Sequence, residues 1–443
     1  MCDDRRFSER PILEKTMTQS LIAIAAFALV LPLMGQRASP SVVDPVGGQT
    51  SEGLVARALA QNGEVLAGGQ QVAAARGGLT QAGLKANPSV AFTESQEVAG
   101  GQDNFMIGGS LPLELYHRRE RRIEVAQAGV KMTEFDQAER ERRLRANVES
   151  KFGEVLASAR NLQVAEELLK LNRQALDLTQ RRADQGAAPP LDANLLRVEV
   201  NRIDALRVDL EAKLGVSVLE LKSMVGMKPE EDLRLNGSLE GAFADQGIAI
   251  KRVLETRPDL LSARAAEEVA SAKLRQAKTD ARPDASLSVT YQRMDSSFNL
   301  NGLNAAGQLR PIQGIFHFLA IGVSINLPVR NTNQGAVETA IAQIDESKRR
   351  REYAELIATG EVAAAMLALE KAQEGLRIYR DGVRGQASQN LDVIRKTYEL
   401  GRTQLLDVIA EQRRFIDIEM GYTDALSRCY QAAVRVRTVT GGK

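Results

Sequence analysis

Two histidines, His117 and His317, and two cysteines, Cys2 and Cys429, are all the imidazole and thiol groups in this chain of 443 residues. Neither histidine has a second ligand at metal-site spacing, and the cysteines stand outside any C-x-x-C pattern. A structural or interfacial role is expected for both histidines, and a buried helix position for Cys429. No G-x-x-x-x-G-K-[ST], H-E-x-x-H or G-x-S-x-G run occurs, so no enzyme, cofactor or metal centre is expected. The spacing that does recur is of another kind. Gly186-Ala-Ala-Pro-Pro-Leu191-Asp192 and Gly401-Arg-Thr-Gln-Leu-Leu406-Asp407 share the pattern G-x-x-x-x-L-D. Glycine closes one helix in the left-handed conformation, and an aspartate is favourable near the start of the next. Each copy therefore reads as a tight turn between two helices.

These turns sit inside a longer duplication. Leu79-Thr-Gln81-Ala82-Gly-Leu-Lys-Ala86-Asn-Pro88 recurs 195 residues later as Leu274-Arg-Gln276-Ala277-Lys-Thr-Asp-Ala281-Arg-Pro283. After each proline the residues alternate, with Ser286, Ser288 and Thr290 opposing Leu287, Val289 and Tyr291 in the second copy. A period of two predicts β-strands at about 89–97 and 284–294. Partner strands are predicted at about 104–113 and 316–328. In the latter, Leu319, Ile321, Val323, Ile325 and Leu327 form one face, and Ala320, Gly322, Ser324 and Asn326 the other. The two strand-exit Leu-Pro pairs, at Pro112 and Pro328, lie 216 residues apart, so the second hairpin carries 21 extra residues. They fall in 295–315, rich in Asn, Gly, Ser and Gln, which reads as an exposed hairpin loop.

Beyond each Leu-Pro, proline disappears for more than seventy residues and apolar positions step by three and four: Leu144, Val148, Phe152, Val155, and again Val362, Met366, Leu369, Ala372. That spacing predicts coiled-coil helices at about 118–185 and 332–400, returning at 191–225 and 405–439. At about 1.5 Å per residue each outgoing helix is a rod on the order of 100 Å long. An earlier helix is predicted from about Leu54 to Lys85, weakened by Gly68-Gly69 and Gly77-Gly78, with a counterpart from Pro258 to Asp280. The domain reading is a signal peptide and leader at 1–38, an exposed linker at 39–53, repeats at 54–226 and 251–441, and a connector at 227–250. Leu21–Met34 is long enough for a signal-peptide core and short for a bilayer span, with a buried segment as the competing reading. A net charge of +1 gives no field for nucleic acid. The charge runs 118–122 and 348–351 read as solvated helix faces, with a basic collar as the alternative for the first.

Four strands cannot close a barrel, and a bilayer tolerates no open sheet edge. If the apolar strand faces meet lipid, the sheet must close with strands from other subunits; in a soluble α+β protein, the other reading, they would pack on helices. At this point the chain resembles the TolC family of outer-membrane efflux channels, including its heavy-metal-exporter branch. The resemblance rests on the doubled helix–strand–strand–helix order, Arg257-Pro258-Asp259-Leu260, the A-x-P strand entries, the Leu-Pro exits and the G-x-x-x-x-L-D tips. It implies a mainly α fold with a small β part. Four strands per subunit would build a trimeric transmembrane barrel, continued across the periplasm by long helical hairpins. It also implies an outer-membrane homotrimer that conducts drugs, metal ions or other solutes passively. Its partners would be a periplasmic adaptor and an inner-membrane pump of the resistance-nodulation-division type. Gly186, Leu191, Asp192, Gly401, Leu406 and Asp407 would then form the adaptor-docking surface and periplasmic entrance. Leu319, Ile321, Val323, Ile325 and Leu327 would face lipid, and Ser286, Ser288, Thr290, Ser324 and Asn326 the lumen. One departure puts a tight aspartate ring in doubt: Ala410 stands where the family often has a second acidic residue. The other reading is a periplasmic coiled-coil structural or adaptor-type protein without a pore.

Overall fold

The computed structural model describes residues 42–98, 102–240 and 254–441. The predicted leader, and the connector from residue 241 onward, lie outside them. Twelve named elements follow in order among the described residues: α1 (Ser51–Gln61), α2 (Gly63–Gly83), β1 (Ser89–Gln96), β2 (Asp103–Pro112), α3 (Arg118–Asp184), α4 (Pro190–Met224), α5 (Pro258–Asp280), β3 (Asp284–Leu303), β4 (Leu309–Asn326), α6 (Gln334–Arg377), α7 (Arg384–Glu399) and α8 (Leu405–Val439). A six-residue π-helical segment, Ile378–Val383, joins α6 to α7.

The rod α3 runs for 67 residues, about 100 Å at the usual helical rise. Its apolar stripe is buried at Val148, Phe152, Val155, Leu162, Ala165 and Leu169. No returning helix is as long: α4 and α8 have 35 residues each and pack on one part of the rod, while α2 and α5 pack on another. The main core lies where α1, α3, α4, α8 and the connector meet, around Leu54, Phe152, Leu221, Leu235, Leu426 and Cys429. Cys429 is fully buried, which pushes its thiol up to about 11.

Four expectations need correction. The single helix from Leu54 to Lys85 is two, because Asn62 takes an extended conformation and its side chain caps α2 at the Glu64 and Val65 N–H groups. The linker is not free either. Residues 42–49 pair with 234–236, where the Leu235 N–H donates to the Val42 carbonyl (2.8 Å) and the Gln49 N–H to Arg234 (2.7 Å). Two segments without regular structure thereby satisfy each other's backbone groups. The helix expected through 332–400 is interrupted by the π-segment, across which the stripe Leu376, Tyr379, Val383 continues in steps of three and four, so periodicity gave no warning. The largest correction is the insertion. Residues 295–315 are mostly strand, and only Asn304–Gln308 turn, closed by the Asn304 N–H to the Gln308 carbonyl (3.0 Å). Polar composition resembles a loop, yet a paired ribbon needs no apolar face outside a lipid or core environment.

The sheet has order β1-β2-β3-β4, antiparallel throughout, leaving β1 and β4 as its two edges. The strand ends are bracketed to the helices by the basic run. Arg118 reaches Asp280 and the Arg282 carbonyl, Arg119 donates to the Gly83 carbonyl (2.6 Å), and Arg122 pairs with Glu114. These side chains are internal struts rather than a solvated face or a collar. In the second run only Arg351 ties helices together, through Glu267 of α5.

Candidate functional site

At the far end of the long helices the two predicted turns have one geometry. Gly186 has φ +73° and Gly401 φ +71°, a conformation that costs a residue with Cβ roughly 1–2 kcal/mol. In the first tip the Gly186 N–H donates to the Ala183 carbonyl (2.9 Å) and the Ala187 N–H to Arg182 (2.8 Å). In the second, the Gly401 N–H donates to Tyr398 (2.8 Å) and the Arg402 N–H to Thr397 (3.0 Å). Both are Schellman motifs, in which the turn itself satisfies the last carbonyls of the outgoing helix. No atom lies within 4 Å of the place where a Cβ would stand at either glycine, so both tips face open space.

The matched Leu-Asp pairs then diverge. Leu191 and Leu406 are both exposed, at 63% and 55%. Asp407 closes a capping box on its own helix: its carboxylate accepts from the Gln404 N–H (3.3 Å) and the Thr403 hydroxyl (2.8 Å). Asp192 follows a proline cap and instead meets the other tip, accepting from the Tyr398 hydroxyl at 3.5 Å. Burial and then the Asp192 charge raise the Tyr398 phenol above its usual range. Beneath this contact Leu196 of α4 packs on Leu405, Val408 and Ile409 of α8, so the two tips form one unit. Comparison of the repeats could have flagged Tyr398, because its counterpart three residues before Gly186 is Ala183.

Farther along, Glu199 of α4 is 1% exposed and joins Arg202 to Arg413 of α8 (2.7 and 2.8 Å). Burial alone would raise its pKa, but the two guanidiniums bring it below the ordinary carboxylate value. Arg257, 3% exposed, binds Asp259 through two nitrogens (2.9 and 2.6 Å) and reaches Glu361 of α6 at 2.9 Å. This explains the Arg-Pro-Asp sequence, for which Asn62 serves at the first repeat's helix start.

On the sheet, register puts Ser286, Ser288 and Thr290 on one face with Ser324, Gly322 and Ala320. Asn326 pairs with Asp284 at the end of that face. Leu287, Val289 and Tyr291 share the other face with Val323, Ile321 and Leu319, and Ile325 with Ala285. Leu319, Ile321, Val323 and Ile325 are 58–73% exposed, so nothing among the described residues covers them. Leu327, expected to extend that face, lies beyond β4: Pro328 has no N–H for the ladder, and the Leu327 carbonyl instead accepts from Val329 (2.9 Å). His317 stands on the same face, its Nδ1 2.8 Å from the Tyr291 hydroxyl, and His117 stands just before α3 in the left-handed conformation, its side chain making no capping hydrogen bond. Among the described residues no three ligating side chains cluster as a metal site, and no helix is long and apolar enough to cross a membrane.

The family model described as outer membrane efflux protein matches residues 54–227 and 249–442, once in each repeat. The cobalt-zinc-cadmium resistance protein CzcC of Cupriavidus metallidurans is 22% identical over 399 residues, covering 90% of this chain and 91% of that protein. Among solved structures, CusC, described by its transmembrane channel formation, superposes with a TM-score of 0.74 at 18% identity, over 89% of this chain and 92% of that one. The CmeC outer membrane channel of Campylobacter jejuni gives a TM-score of 0.73 at 14% identity, over 88% and 85%.

Proposed function

The chain belongs to the outer membrane efflux protein family, and on that premise we propose that its Gly186 and Gly401 tips form the entrance of a trimeric outer-membrane duct. The family consists of channels rather than enzymes, which sit in the bacterial outer membrane with their helices in the periplasm. They are the exit component of tripartite efflux systems, working as trimers with an adaptor and an inner-membrane pump. Nothing favours the pore-free coiled-coil alternative. The edges β1 and β4 join between copies, so that twelve strands close a barrel, and the exposed row from Leu319 to Ile325 meets lipid. Ser286, Ser288, Thr290, Ser324 and Asn326 line the lumen. Small hydroxyl and amide groups bind no solute tightly, and the duct passes drugs, metal ions or other solutes passively. Heavy-metal cations, the class in the name of CzcC, are one proposed cargo, and a resistance-nodulation-division pump the proposed partner.

The observation that supports the entrance is the twinned geometry. Two Schellman turns of one shape stand side by side at the end of the rods, each followed by an exposed leucine. Three copies present six such surfaces. Gly401→Val places a β-branched residue at φ +71° in open space, which strains the turn without a clash. The expected outcome is loss of efflux while the trimer still reaches the outer membrane. Site-specific crosslinking from positions 187, 188, 402 and 403 should capture the adaptor. Efficient efflux by this variant, with no adaptor captured from any of the four positions, would sink the entrance assignment.

A further inference from the structure

Four helices adjoin the sheet side by side in the order of its strands. α2 packs on α3, α3 on α5 and α5 on α6, which leaves α2 and α6 at the edges of this layer, as β1 and β4 are the edges of the sheet. α2 and α5 are equivalents in the two repeats, starting at Gly63 and Pro258, 195 residues apart. The face of α5 that meets α3 is charged. Arg275 pairs with Glu124 (3.0 Å), Glu268 with Lys131 (4.0 Å), and the Ser262 hydroxyl donates to Asp136. The residues 195 positions earlier are Thr80, Ala73 and Ala67, and all three are exposed.

α2 meets α3 through Val65, through Gly68, which lies against Gln137 and Arg140, and through Arg76, which reaches Glu134 (2.7 Å). The opposite side of α2, at Ala67, Gln70, Ala74, Gly77 and Gln81, steps by three and four, is exposed and carries no charge. A Cβ on Gly77 would stand in open space. α6 meets α5 with Ala340 and Ala358 buried and Arg351 bound to Glu267. Its opposite side bears two large exposed side chains, Tyr353 and Leu356. The neighbouring Arg349 and Arg350 pair along α6 itself, with Glu352 and Glu346 (3.2 and 2.7 Å). The two free sides are also level. α2 ends at Gly83, just before β1, and α6 starts at Gln334, just after β4. Counting away from the sheet at one helical rise, Gly77 comes level with about residue 340 and Ala67 with about residue 350, within a turn of Tyr353.

We infer that α6 of each copy packs along α2 of the next, with Tyr353 and Leu356 seated on the small-residue side of α2 between Gly63 and Gly77. This rests on the trimeric barrel, whose β1–β4 junction continues into the seam, and it makes a second copy the occupant. Shape closes this seam where ion pairs close its counterpart between α3 and α5. The contact is heterologous, α6 against α2, so three copies complete a ring.

Crosslinking in isolated membranes and the mass of the purified protein test it. Ala67→Cys/Tyr353→Cys, treated with a short bis-maleimide, should give covalent dimer and trimer. Either cysteine alone should give neither, because like positions do not meet. Cys429, fully buried, does not compete for the reagent. Gly77→Glu brings a carboxylate level with Glu338 and Asp345 of α6, and should lower the trimer fraction about threefold or more by like-charge repulsion. Gln71→Glu, off that side of the helix, should not. A trimer by mass that yields no crosslink, with Gly77→Glu as trimeric as the parent, overturns the seam and leaves the duct intact. An adduct of Ala67→Cys with another protein overturns it in favour of a different occupant. A parent chain that is monomeric by mass overturns both.

Discussion

Asp192 and Asp407 hold equivalent places in the two repeats but are engaged differently. The Asp407 carboxylate is consumed by the cap of its own helix, through the Gln404 N–H and the Thr403 hydroxyl. Asp407→Ala should therefore cost about 0.5–2 kcal/mol in thermal unfolding and leave conductance unchanged. Asp192→Ala should do the reverse, with little effect on stability and a higher conductance, because it frees Tyr398 of the neighbouring tip. If both substitutions changed conductance equally, the assignment of the two carboxylates would be wrong. Glu199 supplies a pH dependence. Its folded-state pKa lies below the unfolded value, so the link from α4 to α8 is fully present above the unfolded carboxylate pKa and is lost as pH falls through the folded one. Thermal unfolding at neutral pH and at about pH 3 should show that Glu199→Gln loses less stability on acidification than the parent.

At the scale of elements, the strands carry the sharpest prediction. Val323 and Ser324 are neighbours on β4 with opposite faces, paired with Leu287 and Ser286 respectively. On the proposed lipid face, Val323→Arg should impair assembly by about 2–4 kcal/mol, whereas Ser324→Arg on the proposed lumen face should assemble and alter conductance. Heat-stable trimer on a gel and bilayer current separate the two, and equal assembly with unchanged current would refute the faces. The junction of strand and helix is equally specific. Arg118, Arg119 and Arg122 bind carbonyls and carboxylates of α2, α5 and the loops beside them, which fixes the sheet against the rod.

For the whole molecule, direction follows from the long hairpin. Its turn at Asn304–Gln308 carries Gly307 at φ +71°, and barrels of this kind place their longer loops outside the cell. An epitope inserted after Gly307 should be stained on intact cells. Staining only after the outer membrane is permeabilised would reverse the orientation. An insertion at Gly302 is a poorer probe, since that residue pairs with Arg310 inside the ribbon.

The duplication, the alternating strand faces, the proline-free rods and the paired G-x-x-x-x-L-D turns were legible in the sequence, because each is a local periodicity or a conformational demand of glycine or proline. The family resemblance rested on their order, and the family match, one segment in each repeat, agrees with it. What tertiary structure decided was partnership. Nothing local distinguishes a carboxylate that caps its own helix from one that meets a tyrosine on another hairpin, so Asp407 and Asp192 look alike until α4 and α8 are packed together. Composition also misled at 295–315, where polar residues resemble a loop, because the free energy of a ribbon lies in its cross-strand hydrogen bonds and those are set by a partner distant in sequence. Backbone pairing between 42–49 and 234–236 was hidden for the same reason.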